Sequence, residues 1–321
     1  MLPANIVVSM TAVGVIALSA GVTCAQEFPN KPIRMVVSEP GGAGDFAARL
    51  LAQAIRSDSG WQLIIDNRPG AFISGRVVAE ASPDGYTLLM AASNLWLQPF
   101  MRNNVPWDPV RDFAPITLAT TSPLIVVLHP SVAANSIKEL ISLAKAKPGV
   151  LNYGSGNTGS SSHLGPELFK SMAGVNLVRV PYKGAGPAVT GLLGGEVQLM
   201  IASAGSTMAQ VKLGKLKGVA VTSAKPTTLV PGLPTVAASG LPGYEFSQTL
   251  GVLAPAKTPS TIINRLNQAI VRALQQADVK QKLFGVGVEP VGNSPKEFAA
   301  LIKADMTRLG KVIRDAGIRE E

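Results

Sequence analysis

From position 33 onward, short β-branched runs alternate with stretches whose apolar residues recur every three to four positions. That alternation restricts the chain to a largely parallel sheet with helices on its faces. Strands are predicted at 33–37, 63–65 and 86–90, with helices at 46–55 and 77–81 between them. Ala47, Leu50, Leu51 and Ala54 share one face of the first helix, and Pro83-Asp84-Gly85 closes the second with a turn. Prolines at 106, 109 and 115 then interrupt the pattern, and 116–128 is extended. A helix follows from Ser136, with Glu139 as its capping-box partner. Further strands are expected at 151–153, 177–180, 197–201, 216–222 and 246–254, and a helix carries Leu164, Leu168 and Met172 on one face. Two helices finish the chain, one capped by Thr258 and opened by Pro259, the other capped by Ser294 with Glu297 as box partner.

Two of the strand-to-helix transitions are rich in glycine and small polar residues. The first runs through Ser38, Gly41, Gly42, Ala43, Gly44 and Asp45; the second through Ser155, Gly156, Asn157, Thr158, Gly159 and Ser160. A strand that turns on glycine into a helix start presents several backbone N–H groups at the positive helix end. Glycine also lets a ligand approach that backbone closely. These turns are read as two jaws of a small-anion cleft.

At 321 residues the chain is too long for a single ordinary core. Two proline-rich crossovers divide it into a discontinuous domain (26–115 plus 246–321) and an inserted one (116–245). Paired lobes joined by two passages of backbone close on a ligand held between them.

Composition narrows the partners. There are 29 Lys and Arg against 20 Asp and Glu, a formal charge of +9, but the basic residues are scattered without a run of five. A phosphate-tracking surface needs clustered cations, so nucleic acid is excluded as a partner. Residues 1–26 carry no charged side chain, are largely apolar from Ile6 to Val22, and end in the small-x-small site before Gln26. This reads as a signal peptide over 1–25 that lacks the usual basic start, with a membrane anchor or a lipoprotein at Cys24 as alternatives. Cys24 is the sole cysteine, so the mature chain has no disulfide or thiolate metal site.

Other chemistry is thinly supported. Gly42, Gly44 and Ala47 fit a dinucleotide fingerprint, with Asp66 near the place of a ribose-binding acid. Asp45, however, puts a negative charge where pyrophosphate needs donors. The two histidines, His129 and His163, are far apart, which excludes most zinc sites. His163 follows the second glycine turn and is a candidate cleft residue. Asn94 and Trp96 follow the third strand at the sheet edge where open α/β sheets bind ligands. Lys183 follows another strand and is placed to meet a carboxylate. No nucleophile elbow and no zinc-protease motif occur, no cofactor is called for, and the competing reading is a secreted hydrolase or nucleotide-dependent enzyme that uses the glycine turns as an anion site.

Six short motifs occur in matching order: Asn67-Arg68-Pro69-Gly70, Pro83-Asp84-Gly85-Tyr86-Thr87, Asp108-Pro109-Val110-Arg111-Asp112-Phe113, Asn152-Tyr153-Gly154-Ser155, Pro181-Tyr182-Lys183-Gly184 and Leu241-Pro242-Gly243-Tyr244-Glu245. In this the chain resembles the Bug family, the substrate-binding proteins of tripartite tricarboxylate transporters. The resemblance implies a periplasmic two-domain α/β protein of the Venus-flytrap, type II-like kind, each domain a mixed sheet flanked by helices. It also implies a monomer that binds a small organic acid through two glycine turns, at Ser38–Asp45 and Ser155–Ser160, and hands it to membrane permease subunits or serves sensing. Departures from the family pattern fall at Ser38 and Glu39, at Ala71-Phe72-Ile73, at Ala202 and at Ala209-Gln210. These point to an altered pocket, suited to a larger, less polar or aromatic acid.

Overall fold

The structure is a computed structural model that describes residues 28–38, 43–68 and 70–320. The signal peptide expected at 1–25, and Gly41, Gly42 and Glu39 of the first turn, lie outside the described residues.

The chain opens with β1 (Ile33–Val37), α1 (Ala43–Ser59), β2 (Leu63–Asn67), α2 (Gly70–Ala79), β3 (Thr87–Ala92) and α3 (Asn94–Met101). A long strand, β4 (Phe113–Leu128), leads to α4 (Ile137–Ala146), β5 (Asn152–Ser155), α5 (Ser161–Ala173), β6 (Val178–Pro181), α6 (Ala185–Leu193), β7 (Leu199–Ser203), α7 (Ala204–Lys212) and β8 (Lys217–Val221). The return passage is β9 (Ser247–Pro255), followed by α8 (Ser260–Gln275), α9 (Ala277–Gly285), β10 (Glu289–Pro290) and α10 (Pro295–Asp315).

The strand order is β2-β1-β3-β9-β4-β7-β5-β6, with β8 and β10 also pairing β4. β1 lies parallel between β2 and β3, and β5 lies parallel between β6 and β7. Thus β5-α5-β6-α6-β7 repeats the plan of β1-α1-β2-α2-β3. In each half the connections leave the central strand in opposite directions, which opens a crevice at its carboxyl end. The two halves share β4, which runs antiparallel to β9 from Phe113 to Pro123 and pairs β7 and β8 from Leu124 onward. Residues 115–116, where the prolines suggested a change of domain, lie inside the β4–β9 ladder. The strand changes partners at Pro123–Leu124.

Period-two burial explains how β4 serves two cores. Leu124, Val126 and Leu128 face a cluster with Tyr153, Phe246 and Phe298, while Ile125 and Val127 face another with Leu192, Met200 and Val221. A third cluster, with Met35, Val37, Leu51, Leu266 and Ile270, fills the first half on the α1–α8 side.

Local signals differ in how they were realised. Ser294 and Glu297 form the full capping box of α10. At α4, Ser136 accepts from the Glu139 N–H, but the Glu139 carboxylate takes the N–H of Asn135. Thr258 does not cap α8: its hydroxyl donates to the Pro255 carbonyl at 2.8 Å and Pro259 holds the cap position. Met172 is exposed, because residue 173 rather than 172 completes the inward face of α5. Helices α3, α7 and α9 were not foreseen.

Candidate functional site

The carboxyl end of β1 carries Val37 and Ser38 into the first turn, and α1 begins at Ala43 beyond it. The carboxyl end of β5 leads likewise into the second turn, and α5 begins at Ser161 with Ser160 in the cap position. Ser38, Ala43 and Gly44 from the first half and Gly159, Ser160 and Ser161 from the second line one cavity of about 160 Å³. The third wall is the end of β3 and the start of α3, with Ala92, Ser93 and Asn94. Three helix N-termini therefore border the same space, and a helix N-terminus brings N–H groups without an intrahelical partner and a positive dipole end. Val37, Met90 and Leu250 give it an aliphatic floor, and Gln248 of the return strand adds an amide. None of the described lining side chains is charged. An anion here is met by neutral donors: backbone N–H groups, serine hydroxyls and two carboxamides.

The second turn is braced from behind. Arg179 of β6 donates from Nε to Ser155 Oγ (2.8 Å), from Nη1 to Thr158 Oγ1 (3.3 Å) and from Nη2 to the Gly156 carbonyl (3.0 Å). Ser155 Oγ in turn donates to that carbonyl at 3.1 Å, and the Gly156 N–H donates to Ser162 Oγ at 3.0 Å. Gly159 sits at φ +74°, and a Cβ there would meet Met101 Sδ of α3 at 2.7 Å. The turn thus reaches across to α3 and packs against the end of the Met101 side chain.

Several residues read as ligand contacts occupy other places. Ser155 and Gly156 are buried behind the turn, Asn157 is exposed, and Thr158 faces the opposite side, toward Arg179. Asp45 is buried in the first turn of α1, held by Arg49 at 3.0 Å and by Asn67 at 3.0 Å. Trp96 is fully buried: its ring meets Phe298 edge-on at 5.8 Å and its indole N–H donates to Asp305 at 3.3 Å. Its place on an unforeseen helix turns it inward, while Asn94, two residues earlier, lines the cavity. Lys183 is exposed and absent from the cavity wall. Asp66, the candidate ribose acid, is taken by Arg34 and Arg68. Burial alone raises its pKa, but these two guanidinium partners outweigh that and hold it below the usual range.

His163 is also turned away from the cavity. Its Nδ1 accepts from the Gly159 N–H at 3.2 Å, so the ring is fixed as the neutral tautomer with its proton on Nε2. Burial, reinforced by the charges of Arg179 and Lys170, pushes its pKa down to about 3. The unfolded ring protonates near 6.5, so between these values the unfolded chain binds more protons and stability falls with falling pH. The expected loss is about 1.4 kcal/mol per pH unit below 6.5. His163→Asn keeps an acceptor for Gly159 and should remove that slope. Denaturant midpoints at pH 6.5, 5.5 and 4.5 check it, and parallel pH profiles for the two proteins would disprove it.

Residues that sequence reasoning did not find are Ser93, Ser161, Gln248, Leu250 and Arg179. Ser161 had a signal, since it directly follows the second turn, whereas Gln248 and Leu250 arrive through the antiparallel pairing of β9 with β3 and β4.

A family profile described as tripartite tricarboxylate transporter family receptor matches residues 47–318. The UPF0065 protein in the tcbD-tcbE intergenic region of Pseudomonas sp. (strain P51) is 36% identical over 305 residues, covering 93% of this chain and 91% of that protein. Among solved structures, R. palustris Rpa4515 with adipate matches with a TM-score of 0.77 and 33% identity, over 91% of this chain and 99% of the other. MatC from Rhodopseudomonas palustris with bound malate matches with a TM-score of 0.73 and 28% identity, over 89% and 100% of the two chains.

Proposed function

Since the chain belongs to the tripartite tricarboxylate transporter receptor family, we propose that it is an extracytoplasmic solute-binding protein that captures a small carboxylate between its two lobes. One observation carries this reading: Ser38, Ala43 and Gly44 of one lobe and Gly159, Ser160 and Ser161 of the other line a single cavity whose described walls hold only neutral donors and aliphatic carbon. The solved relatives with adipate and malate supply the ligand class. We place the lobe boundary at Pro123–Leu124 and near Phe246, where β4 changes partners and β9 begins. Secretion before cleavage near residue 25 and delivery to membrane permease subunits follow from the same reading. Among the described residues, no helix is long and apolar enough to cross a membrane.

The cavity lies below the roughly 300–1,000 Å³ of drug-sized pockets, which suits a compact acid. A charge-assisted hydrogen bond contributes about 1.5–3 kcal/mol. Four or five, less the costs of ordering and closure, reach micromolar affinity, about −8 kcal/mol.

Thermal shifts against mono-, di- and tricarboxylates, with adipate and malate included, test this. A true ligand at 100 times its Kd stabilises the fold by about 2.7 kcal/mol. Failure of every acid to give a saturable shift would refute the reading, and turnover of a tested ester or nucleotide would favour the enzyme alternative. Because no described lining side chain titrates, affinity should change less than about twofold between pH 6 and 9. It should fall only as the ligand's own carboxylate protonates near pH 4. Calorimetric titration across that range with an acid already fully ionised at pH 6 reads this, and a step in affinity near pH 6–7 would then place a histidine in contact with the ligand.

A further inference from the structure

A second cavity, of about 630 Å³, lies on the far side of the second turn from the cleft. Its walls come from both lobes: α5 and Arg179 of β6 on one side, the end of α10 and the tail through Arg319 on the other. The tail is latched to the first lobe, since Arg319 donates to the Phe100 carbonyl and the Glu320 N–H to that of Met101.

The charges here do not balance. Arg179 is half-buried, and its three hydrogen bonds go to neutral oxygens of the second turn; no described carboxylate lies within ion-pair distance of it. The two carboxylates in the wall have other partners. Glu167 accepts from the Tyr153 hydroxyl and from Lys170 Nζ at 2.8 Å, and Asp315 is bridged by Lys311. Arg179, Arg319 and Lys170 thus supply three cations against two engaged carboxylates, with the Ser171 hydroxyl and the neutral His163 between them. A guanidinium has five N–H donors, so part of Arg179's fork is left over, and Glu167, whose charge reaches it only from beyond ion-pair distance, is already engaged by Tyr153 and Lys170.

We propose that this cavity is a second anion site, which takes a small oxyanion or carboxylate at the open edge of Arg179, with Arg319 and Lys170 at its rim. The same guanidinium braces the second turn of the cleft, so occupancy of the rear site acts on the cleft through Arg179. Coupling of this kind is reciprocal.

The test is a titration of the whole mature protein with sulfate at constant ionic strength, followed by amide and arginine side-chain NMR signals. Saturable shifts of the Arg179 Nε–H and of the Thr158, Ser171 and Gly317 amides are expected, with a millimolar Kd. Ser171→Glu places a carboxylate in the cavity from an exposed position of α5 and should weaken sulfate at least tenfold without lowering the melting temperature. Arg319→Gln should weaken it about threefold. Linear shifts, saturable shifts confined to Ala43, Asn94 and Ser160 of the cleft, or full affinity in Ser171→Glu would each overturn the proposal.

Discussion

Gly159→Val is expected to abolish ligand capture, with at least a 100-fold loss of affinity, while the protein still folds. At φ +74° a non-glycine residue costs about 1–2 kcal/mol, and a β-branched one is a true outlier there. The new Cβ would also lie 2.7 Å from Met101 Sδ and 2.9 Å from its Cε. Met101 can draw back the end of its flexible side chain, but the left-handed backbone is relieved only by rotating the peptide, which breaks the Gly159 N–H bond to His163 and moves Ser160 and Ser161 off their line into the cavity. Losing two anion-directed donors removes about 3–6 kcal/mol, which is two to four orders of magnitude in affinity. Calorimetry with an acid bound by the parent reads the affinity, and near-parental circular dichroism confirms the fold. Parental affinity in the variant would show that this turn does not hold the ligand.

Gly251→Ala is the corresponding prediction for stability. Gly251 lies in β9, opposite Ala91 on one side and Leu118 on the other, where the Phe298 ring of α10 rests on the bare backbone. A Cβ would sit 2.0 Å from Phe298 Cζ and under 3 Å from two more ring atoms. The ring is fully buried and has Trp96 edge-on at 5.8 Å, so it has nowhere to swing. Overpacking a filled core costs about 1–3 kcal/mol, and a contact this short belongs at the upper end. A loss of about 3 kcal/mol, or roughly 5 °C in Tm for a chain of this length, is expected. Phe298→Leu in the same chain should recover part of it, because the two positions share one space and their effects do not add. Additive losses in the double variant would mean that the alanine is accommodated by moving β9 instead.

These positions mark where the sequence was readable and where it was not. The β1–α1 and β5–α5 turns were legible because their signals are local: a β-branched strand, glycines, then helical spacing. The same signals led them to be read as two jaws of one cleft, and Ser38, Ala43, Gly44, Gly159 and Ser160 line a common cavity. Trp96 misled because its side-chain direction depends on α3, an almost wholly apolar helix with Pro99 inside it that shows no 3.6-residue stripe. Arg179 gave no sign because its role is set by a parallel pairing, Tyr153 with Arg179, that brings β6 beside the turn. Gln248 and Leu250 were invisible for the same reason at longer range. β4 was foreseen as extended sequence, but a strand with Pro115 and Pro123 inside gives no hint that it serves two sheets.

The β3–β9 ladder joins Leu89–Ala92 to Leu250–Leu253, so the first lobe is sewn from opposite ends of the polypeptide. Loop closure over that separation is slow, and chains of high contact order fold slowly. The second lobe as proposed, a contiguous stretch from Leu124 to Phe246, has no such long-range closure to wait for. As the chain emerges from its N-terminus, the inserted lobe therefore gains its full complement of strands first, and the cleft is completed only when the last quarter of the molecule arrives to close it.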